Sequence, residues 1–222
     1  MQQQEILYRK ATFKLLSRAE SLRQTWNTYQ AATLTILSTL VNLQQQQSMT
    51  SNEDTTRQLK DRYALDPQRL LYNQTMRFEK AMRQLRTRLD QWQEVVQDWQ
   101  QLVIDAQHNA TKAEAVHLTN NTGSSNSAND LPPPPLSSHS LLQVTVVSPA
   151  QAHQWILQLG HLYKRQYHCK RMLFLSATTE PDLARIMDQW ATDVHLQNNP
   201  ITQDISDRVQ LYNHVKKAIE SV

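Results

Sequence analysis

Few residues in the sequence have types and spacing that could support catalysis. The single cysteine, Cys169, directly follows His168, and a reactive thiolate–imidazole pair requires two side chains that converge. Neighbouring residues on a helix point about 100° apart, so this pair is not expected to converge. We interpret Cys169 as a small apolar side chain on a packed helix face.

The other candidates for chemistry are histidines and short motifs. His161 and His168 lie two turns apart on one side of a predicted helix, without the clustered acids or further histidines that a metal ion requires. The sequence also contains no GxxxxGK[ST], GxSxG, HExxH or paired CxxC motif. We therefore expect no enzymatic activity, no cofactor and no metal.

Two basic stretches could bind phosphates or acidic side chains. The range from Arg57 to Arg88 contains nine lysines and arginines and three acidic residues. The range from Ala150 to Arg171 contains four lysines and arginines and no acidic residue. Contact with nucleic acid, contact with an acidic protein surface and ordinary solvated charge are the alternatives. The net charge of +3 is too small to mark the whole chain as a nucleic-acid binder. Contact with nucleic acid is expected to be absent or indirect.

The composition favours helices. The 222 residues include two glycines, Gly123 and Gly160, whereas sheet turns and phosphate-binding loops depend on glycine. One cysteine excludes an internal disulfide and is typical of a reducing compartment. The first residues lack the apolar core of a signal peptide, and the run "AATLTILSTLVNL" is interrupted by polar residues, so no membrane contact is expected.

Two segments carry the 3.5-residue period of a coiled-coil seam. The apolar positions of the first segment, about Glu5 to Gln46, are Leu15, Ala19, Leu22, Trp26, Tyr29, Ile36, Leu40 and Leu43. The second segment begins at Asp66-Pro67, because Asp can cap a helix and Pro suits its first turn. Its stripe consists of Leu71, Thr75, Phe78, Met82, Leu85, Leu89, Trp92, Val96, Trp99, Val103 and Ala106.

These two segments are predicted to pack against each other. A long helix is not held by propensity alone, so packing of its apolar stripe must stabilise it. We predict a long antiparallel coiled-coil helical hairpin over residues 1–118, with a polar loop at about 47–66. Pairing of the stripes with another chain is the alternative.

The rest of the chain is predicted to be a linker followed by a small helical bundle. Residues 119–147 contain "NNTGSSNSANDLPPPPLSSHS", whose prolines and small polar residues favour an extended linker. Helices are predicted from Ser148-Pro149, from "TTEPDL" and after "NNP", giving a C-terminal helical region over 148–222. The predicted packed face of the first is Trp155, Ile156, Leu159, Leu162, Tyr163, Cys169 and Leu173. The predicted fold class is therefore all-α.

The tryptophans could serve the core or a partner. All five lie on predicted helix stripes: Trp26, Trp92, Trp99, Trp155 and Trp190. Large apolar side chains at helical spacing are usually core, yet tryptophan is also enriched in interface hot spots. We expect most of the five to lie in the core and one or two to be covered by another protein.

Three stretches resemble the family of cyclin-dependent kinase 2-interacting proteins. They are "LRQTWNTYQAATLTILSTLVNL" around Trp26, "FEKAMRQLRTRLDQW" in the middle helix, and "LYKRQYHCKRMLFLSATTEPDLARIMDQW" from Leu162 to Trp190. The last stretch carries the order Tyr163, Lys170-Arg171, Pro181-Asp182-Leu183 and Trp190. The resemblance covers about two thirds of the chain and does not include the linker.

The resemblance implies a non-catalytic nuclear adaptor that joins other proteins through helical contacts. The implied partners are cyclin-dependent kinase, replication-checkpoint or AAA-ATPase complexes that remodel replisomes and pre-ribosomes. The implied contact positions are Tyr163, Lys170, Arg171, Asp182, Leu183 and Trp190. Such a subunit is expected to be a monomer within a hetero-complex, in the nucleus or secondarily in the cytoplasm. The alternative is a generic coiled-coil scaffold or tethering subunit of another complex.

Overall fold

The computed structural model describes residues 2–121, 147–178, 182–193, 196 and 199–220. The helices in these ranges are α1 (Gln2–Thr50), α2 (Glu53–Tyr63), α3 (Pro67–Asn121), α4 (Pro149–Ala177), α5 (Leu183–Ala191) and α6 (Pro200–Glu220). No strand occurs in the described part of the chain, so the all-α prediction is confirmed there. Most of the predicted linker, residues 122–146, lies outside the described residues.

The segment predicted as a loop at about 47–66 is largely helical. Helix α1 continues to Thr50, and α2 follows after two residues. Asn52 caps α2 by accepting a hydrogen bond from the backbone N–H of Asp54, and acids at the start and bases at the end suit the helix dipole. The loop prediction was wrong because local capping, rather than an apolar stripe, specifies this helix.

Helices α3 and α4 begin where the sequence predicts. The backbone N–H of Gln68 donates to Asp66 Oδ1 at 3.0 Å, directly before Pro67. The backbone N–H of Gln151 donates to Ser148 Oγ at 3.2 Å. Both caps satisfy amide groups that the first turn of a helix leaves without a partner.

The chain forms two compact units. The first comprises residues 1–24, 96–164 and 195–222, and the second comprises residues 25–95 and 165–194. Helices α1, α3 and α4 each contribute residues to both units. The predicted division into 1–118, 119–147 and 148–222 stays a prediction.

In the first unit, α1 and α3 run antiparallel. Asn109 Nδ2 donates to Thr12 Oγ1 at 3.0 Å, and Arg18 Nη1 donates to Asp105 Oδ2 at 3.1 Å. Residue numbers therefore rise along α1 as they fall along the facing part of α3. Helix α4 approaches α3 closely at Gly160, where an added Cβ would lie 3.0 Å from Val103 Cγ2.

In the second unit, α1 and α3 also run antiparallel. The rings of Trp26 and Trp92 stack with centroids 5.0 Å apart, and Gln74 Nε2 donates to Thr50 Oγ1 at 3.2 Å. The detail of a coiled-coil hairpin stays a prediction, since these contacts establish direction and not supercoiling.

The buried stripes differ from the predicted ones at several positions. Leu16 and Leu37 are more deeply buried than Leu15 and Ile36. Thr33, which interrupts the apolar pattern of α1, is fully buried. At the start of α3, the predicted seam residues Leu71 and Thr75 are exposed, and Gln74 is buried instead. A polar residue with a hydrogen-bond partner can therefore occupy a packed position that periodicity assigns to an apolar one.

No helix in the described ranges has both the length and the apolarity that a transmembrane span requires.

The C-cap of α2 generates a test of the fold. Ala64 has φ 49°, in the left-handed region that glycine adopts more readily. We expect Ala64→Gly to raise the free energy of unfolding by up to about 1 kcal/mol, measured by urea denaturation.

The matched control is Ala31→Gly, at an exposed position within α1. There glycine should lower the free energy of unfolding by about 0.5–1 kcal/mol. Equal losses for both variants would contradict the assigned conformation of Ala64.

Candidate functional site

Helix α4 places a lysine on its packed face. Its fully or nearly fully buried positions include Ala152, Ile156, Leu159, Tyr163, Gln166, Lys170 and Ala177. The steps between the first six alternate four and three, which keeps them on one face of a helix. Lys170 therefore occupies a position of the apolar stripe, and its side chain is 0% exposed.

The ammonium group of Lys170 has polar partners inside the second unit. Lys170 Nζ donates to the backbone oxygen of Trp190 at 2.9 Å and forms an ion pair with Asp193 Oδ1 at 2.9 Å. The same nitrogen lies 5.3 Å from the ring centroid of Trp92 and 5.4 Å from that of Trp190, within the range of cation–π attraction. The charge is therefore buried with a carboxylate, a carbonyl and two aromatic faces.

These contacts cap the C-terminal end of helix α5. The last carbonyls of a helix have no partner within it and carry the negative end of its dipole. The backbone oxygen of Trp190 accepts from Lys170 and also from Gln30 Nε2 at 3.0 Å. A cation at this end of a helix is electrostatically favourable.

Two further hydrogen bonds complete the arrangement. Gln166 Nε2 donates to Asp193 Oδ1 at 2.7 Å, which orients the carboxylate toward Lys170. Trp190 Nε1 donates to Thr33 Oγ1 at 3.1 Å, which explains why a threonine is buried on α1. We call these residues the Lys170 cluster: Gln30, Thr33, Gln166, Lys170, Trp190 and Asp193.

Burial lowers the pKa of the Lys170 ammonium, and the charge of Asp193 and its hydrogen bond oppose this shift. A lysine with a lowered pKa can act as a general base or a nucleophile when substrate reaches it. Here the side chain is fully buried and its nitrogen is bonded to protein acceptors. The geometry instead suits a structural role, which is to hold α5 against α1 and α4.

The six predicted partner contacts fall into two groups. Tyr163, Lys170, Leu183 and Trp190 are each at most 2% exposed, and Tyr163 stacks on Trp99 with ring centroids 4.7 Å apart. Arg171 and Asp182 are exposed.

Asp182 also has a role within the chain, because its Oδ1 accepts from the backbone N–H of Arg185 at 3.1 Å and caps α5. The assignment of all six residues as partner contacts stays a prediction.

The interpretation of Cys169 as a packed side chain was wrong. Cys169 is exposed, because the alternating spacing turns Gln166 and Lys170 inward and leaves His168 and Cys169 outside. The alternating spacing that continues from Tyr163 would have predicted the exposure of Cys169. However, it also places a lysine in the apolar stripe, and a lysine is ordinarily assigned to solvent.

Four of the five tryptophans are fully buried: Trp26, Trp92, Trp99 and Trp190. Trp155 is half-buried. The expectation that another protein covers one or two tryptophans therefore stays a prediction. Trp155 is the main candidate, because it is the tryptophan that is half-buried.

Comparison with known proteins assigns the chain to a family. A family model described as CA109-like, "Ribosome biogenesis protein C1orf109-like", matches residues 7–212. No curated protein matches the chain.

Truncation of the buried lysine tests the cluster. Lys170→Ala leaves the carboxylate of Asp193 and the carbonyl of Trp190 without their cation and creates a cavity. We expect the free energy of unfolding to fall by about 3–5 kcal/mol. Arg171→Ala, at the exposed neighbour, should change it by no more than about 0.5 kcal/mol. Similar small effects of both substitutions in urea denaturation would contradict a structural role for Lys170.

The lowered pKa of Lys170 predicts a pH dependence. The pKa of lysine in an unfolded chain is about 10.4, and the pKa of Lys170 in the folded chain is lower. At pH values between these two, the unfolded chain binds more protons than the folded chain. The contribution of Lys170 to stability should therefore rise with pH in that window. The measurement is urea denaturation from about pH 8 to about pH 10.5 of the native chain and Lys170→Met. The stability difference between them should change in favour of the native chain; a flat or opposite trend would contradict the burial of the charge.

Proposed function

Because this chain belongs to the C1orf109-like family of ribosome biogenesis proteins, we propose that it is a non-catalytic adaptor subunit in ribosome assembly. The observation that carries this proposal is the family match, which extends over residues 7–212. We assign its work to protein–protein contacts made by helices, within the nucleus and nucleolus.

The interior of the second unit supports the non-catalytic part of the proposal. The buried Nζ of Lys170 binds the backbone oxygen of Trp190 at the end of α5 and the carboxylate of Asp193. A substrate in solvent therefore has no access to this nitrogen. An adaptor requires a stable set of helices and an accessible surface. The Lys170 cluster stabilises the helices.

The resemblance to cyclin-dependent kinase 2-interacting proteins supports a narrower form of the same proposal. In that form the partners include an AAA-ATPase complex that remodels pre-ribosomes. The cell-cycle kinase, replisome and checkpoint contacts implied by the same resemblance stay predictions, since the family match concerns ribosome biogenesis.

The alternative is a generic coiled-coil scaffold. A scaffold that works through its long helices should form a stable homodimer, whereas the adaptor should be a monomer before it meets its partners. Measuring the mass of the purified chain in solution distinguishes these two possibilities.

Depletion of the protein from its own cells tests the proposed function. We expect unprocessed pre-ribosomal RNA and immature ribosomal particles to accumulate before the rate of DNA synthesis changes. Expression of the intact chain should reverse this accumulation, and Cys169→Ser, at an exposed position outside the Lys170 cluster, should do so equally well. Normal ribosome production together with delayed DNA replication would overturn the proposal and favour the replication role instead.

A further inference from the structure

Helix α2 has no buried residue. Its 11 residues, Glu53–Tyr63, are joined to the neighbouring helices by short connections and stabilised by caps at both ends. An isolated helix of this length is marginally stable in water, and most helices gain stability by packing an apolar face. The described part of the chain therefore covers helix α2 only in part, at Thr55, Thr56 and Leu59, which are half-buried.

Large apolar side chains are exposed around α2. Six of them occur between residues 49 and 76, with exposures from 36% to 67%: Met49, Tyr63, Leu65, Leu71, Tyr72 and Met76. The other five exposed large hydrophobic residues of the described chain are spread over positions 7 to 211. We call these six residues the tip surface. Exposed apolar side chains that concentrate in one region mark interaction sites in soluble proteins.

Basic residues flank the tip surface on α3. The exposed residues Arg69, Tyr72, Met76, Lys80 and Arg83 follow one another at steps of three, four, four and three. This spacing places them along one side of the helix. Tyrosine and methionine thus form the middle of a stripe whose two ends are positive.

A cleft adjoins this stripe where the chain turns from α2 into α3. It has a volume of about 470 Å³ and is lined by Thr56, Lys60, Ala64, Leu65, Asp66, Pro67 and Gln68. The left-handed conformation of Ala64 makes the turn that shapes it. The cleft combines an apolar wall at Leu65 with the ammonium group of Lys60, and its volume is in the range of ligand-binding clefts.

The charge of the region is not neutralised by the residues that the structure describes. Between Arg57 and Arg88 the sequence has nine basic residues and three acids. In the described ranges, no ion pair joins any of those nine to an acid. A binding partner that carries negative charge would therefore gain electrostatic attraction there.

We propose that the tip surface binds an acidic amphipathic helix of a protein partner. The apolar face of such a helix would cover Leu65, Tyr72 and Met76, and its carboxylates would meet Arg69, Lys80 and Arg83. Helix-in-groove recognition uses apolar anchors at helical spacing, and methionine-rich surfaces adapt well to such partners. This inference rests on the proposed adaptor function and identifies the chemistry of one of its contacts.

Two other occupants fit the surface less well. A second copy of this chain would bring two positive surfaces together, which is electrostatically unfavourable. An RNA would satisfy the basic residues and could stack on the two tyrosines, but it would leave Met49, Leu65 and Met76 without apolar partners. The mixture of aliphatic and basic side chains favours a protein.

The test uses the full-length chain and a fluorescent synthetic helix of about 20 residues, with leucines at helical spacing and glutamates elsewhere. Binding is followed by fluorescence anisotropy. We expect saturable binding, and we expect Tyr72→Ala combined with Met76→Ala to weaken it about ten-fold or more. Arg69→Glu combined with Lys80→Glu should weaken it comparably. Ile104→Ala, which removes an equally exposed apolar side chain outside the tip surface, should leave binding unchanged.

Circular dichroism of each variant checks that its helices remain intact, and these substitutions lie at exposed positions. The proposal is overturned if the peptide does not bind, or if a peptide of the same composition without helical apolar spacing binds equally. It is also overturned if single-stranded RNA displaces the peptide with a steep dependence on salt. Loss of the peptide interaction without a defect in ribosome production would reject this contact alone. A depletion experiment with normal ribosome production would reject the proposed function instead.

Discussion

The second unit depends on a buried ammonium group at the end of a short helix. Transferring a lysine charge from water into a protein interior costs several kcal/mol unless polar partners compensate for the lost hydration. The carbonyl of Trp190, the carboxylate of Asp193 and two indole faces offset part of that cost at Lys170. Because these partners come from α3, from α5 and from the residues after α5, the charge fixes the position of α5 in a way that a purely apolar stripe would not.

Directional polar contacts explain why the second unit has one arrangement of its helices. The buried face of α5 is short and consists of Leu183, Ile186 and Trp190. A face of this size could slide or rotate on a neighbouring apolar surface at little cost. The hydrogen bonds from Gln30 and Lys170 to Trp190, and from Trp190 to Thr33, have strict geometric requirements. They therefore select one orientation among several that apolar packing would accept.

The sequence predicts the long helices well because their information is periodic. Trp92 and Trp99 fall on the predicted stripe of α3 and are fully buried, and Pro67 and Pro149 mark the starts of α3 and α4. The sequence does not readily predict the Lys170 cluster, since the partners of Lys170 are brought together by tertiary packing and not by spacing. Helix α2 was missed for a different reason, because short capped helices without an apolar face resemble polar loops in sequence.

The most informative residues are those that reverse the usual pattern of burial. Apolar residues inside and charged residues outside are expected of any globular protein, whereas a buried lysine or a group of exposed leucines, methionines and tyrosines needs a specific cause. At Lys170 the cause lies within the chain, because its partners are present. At Tyr72 and Met76 no covering element is found in the described ranges, and the proposed partner helix would cover both side chains. The proposed adaptor function would account for both reversals. Polar contacts inside the second unit hold its helices in a fixed arrangement, and that arrangement would present an apolar and basic surface to another protein.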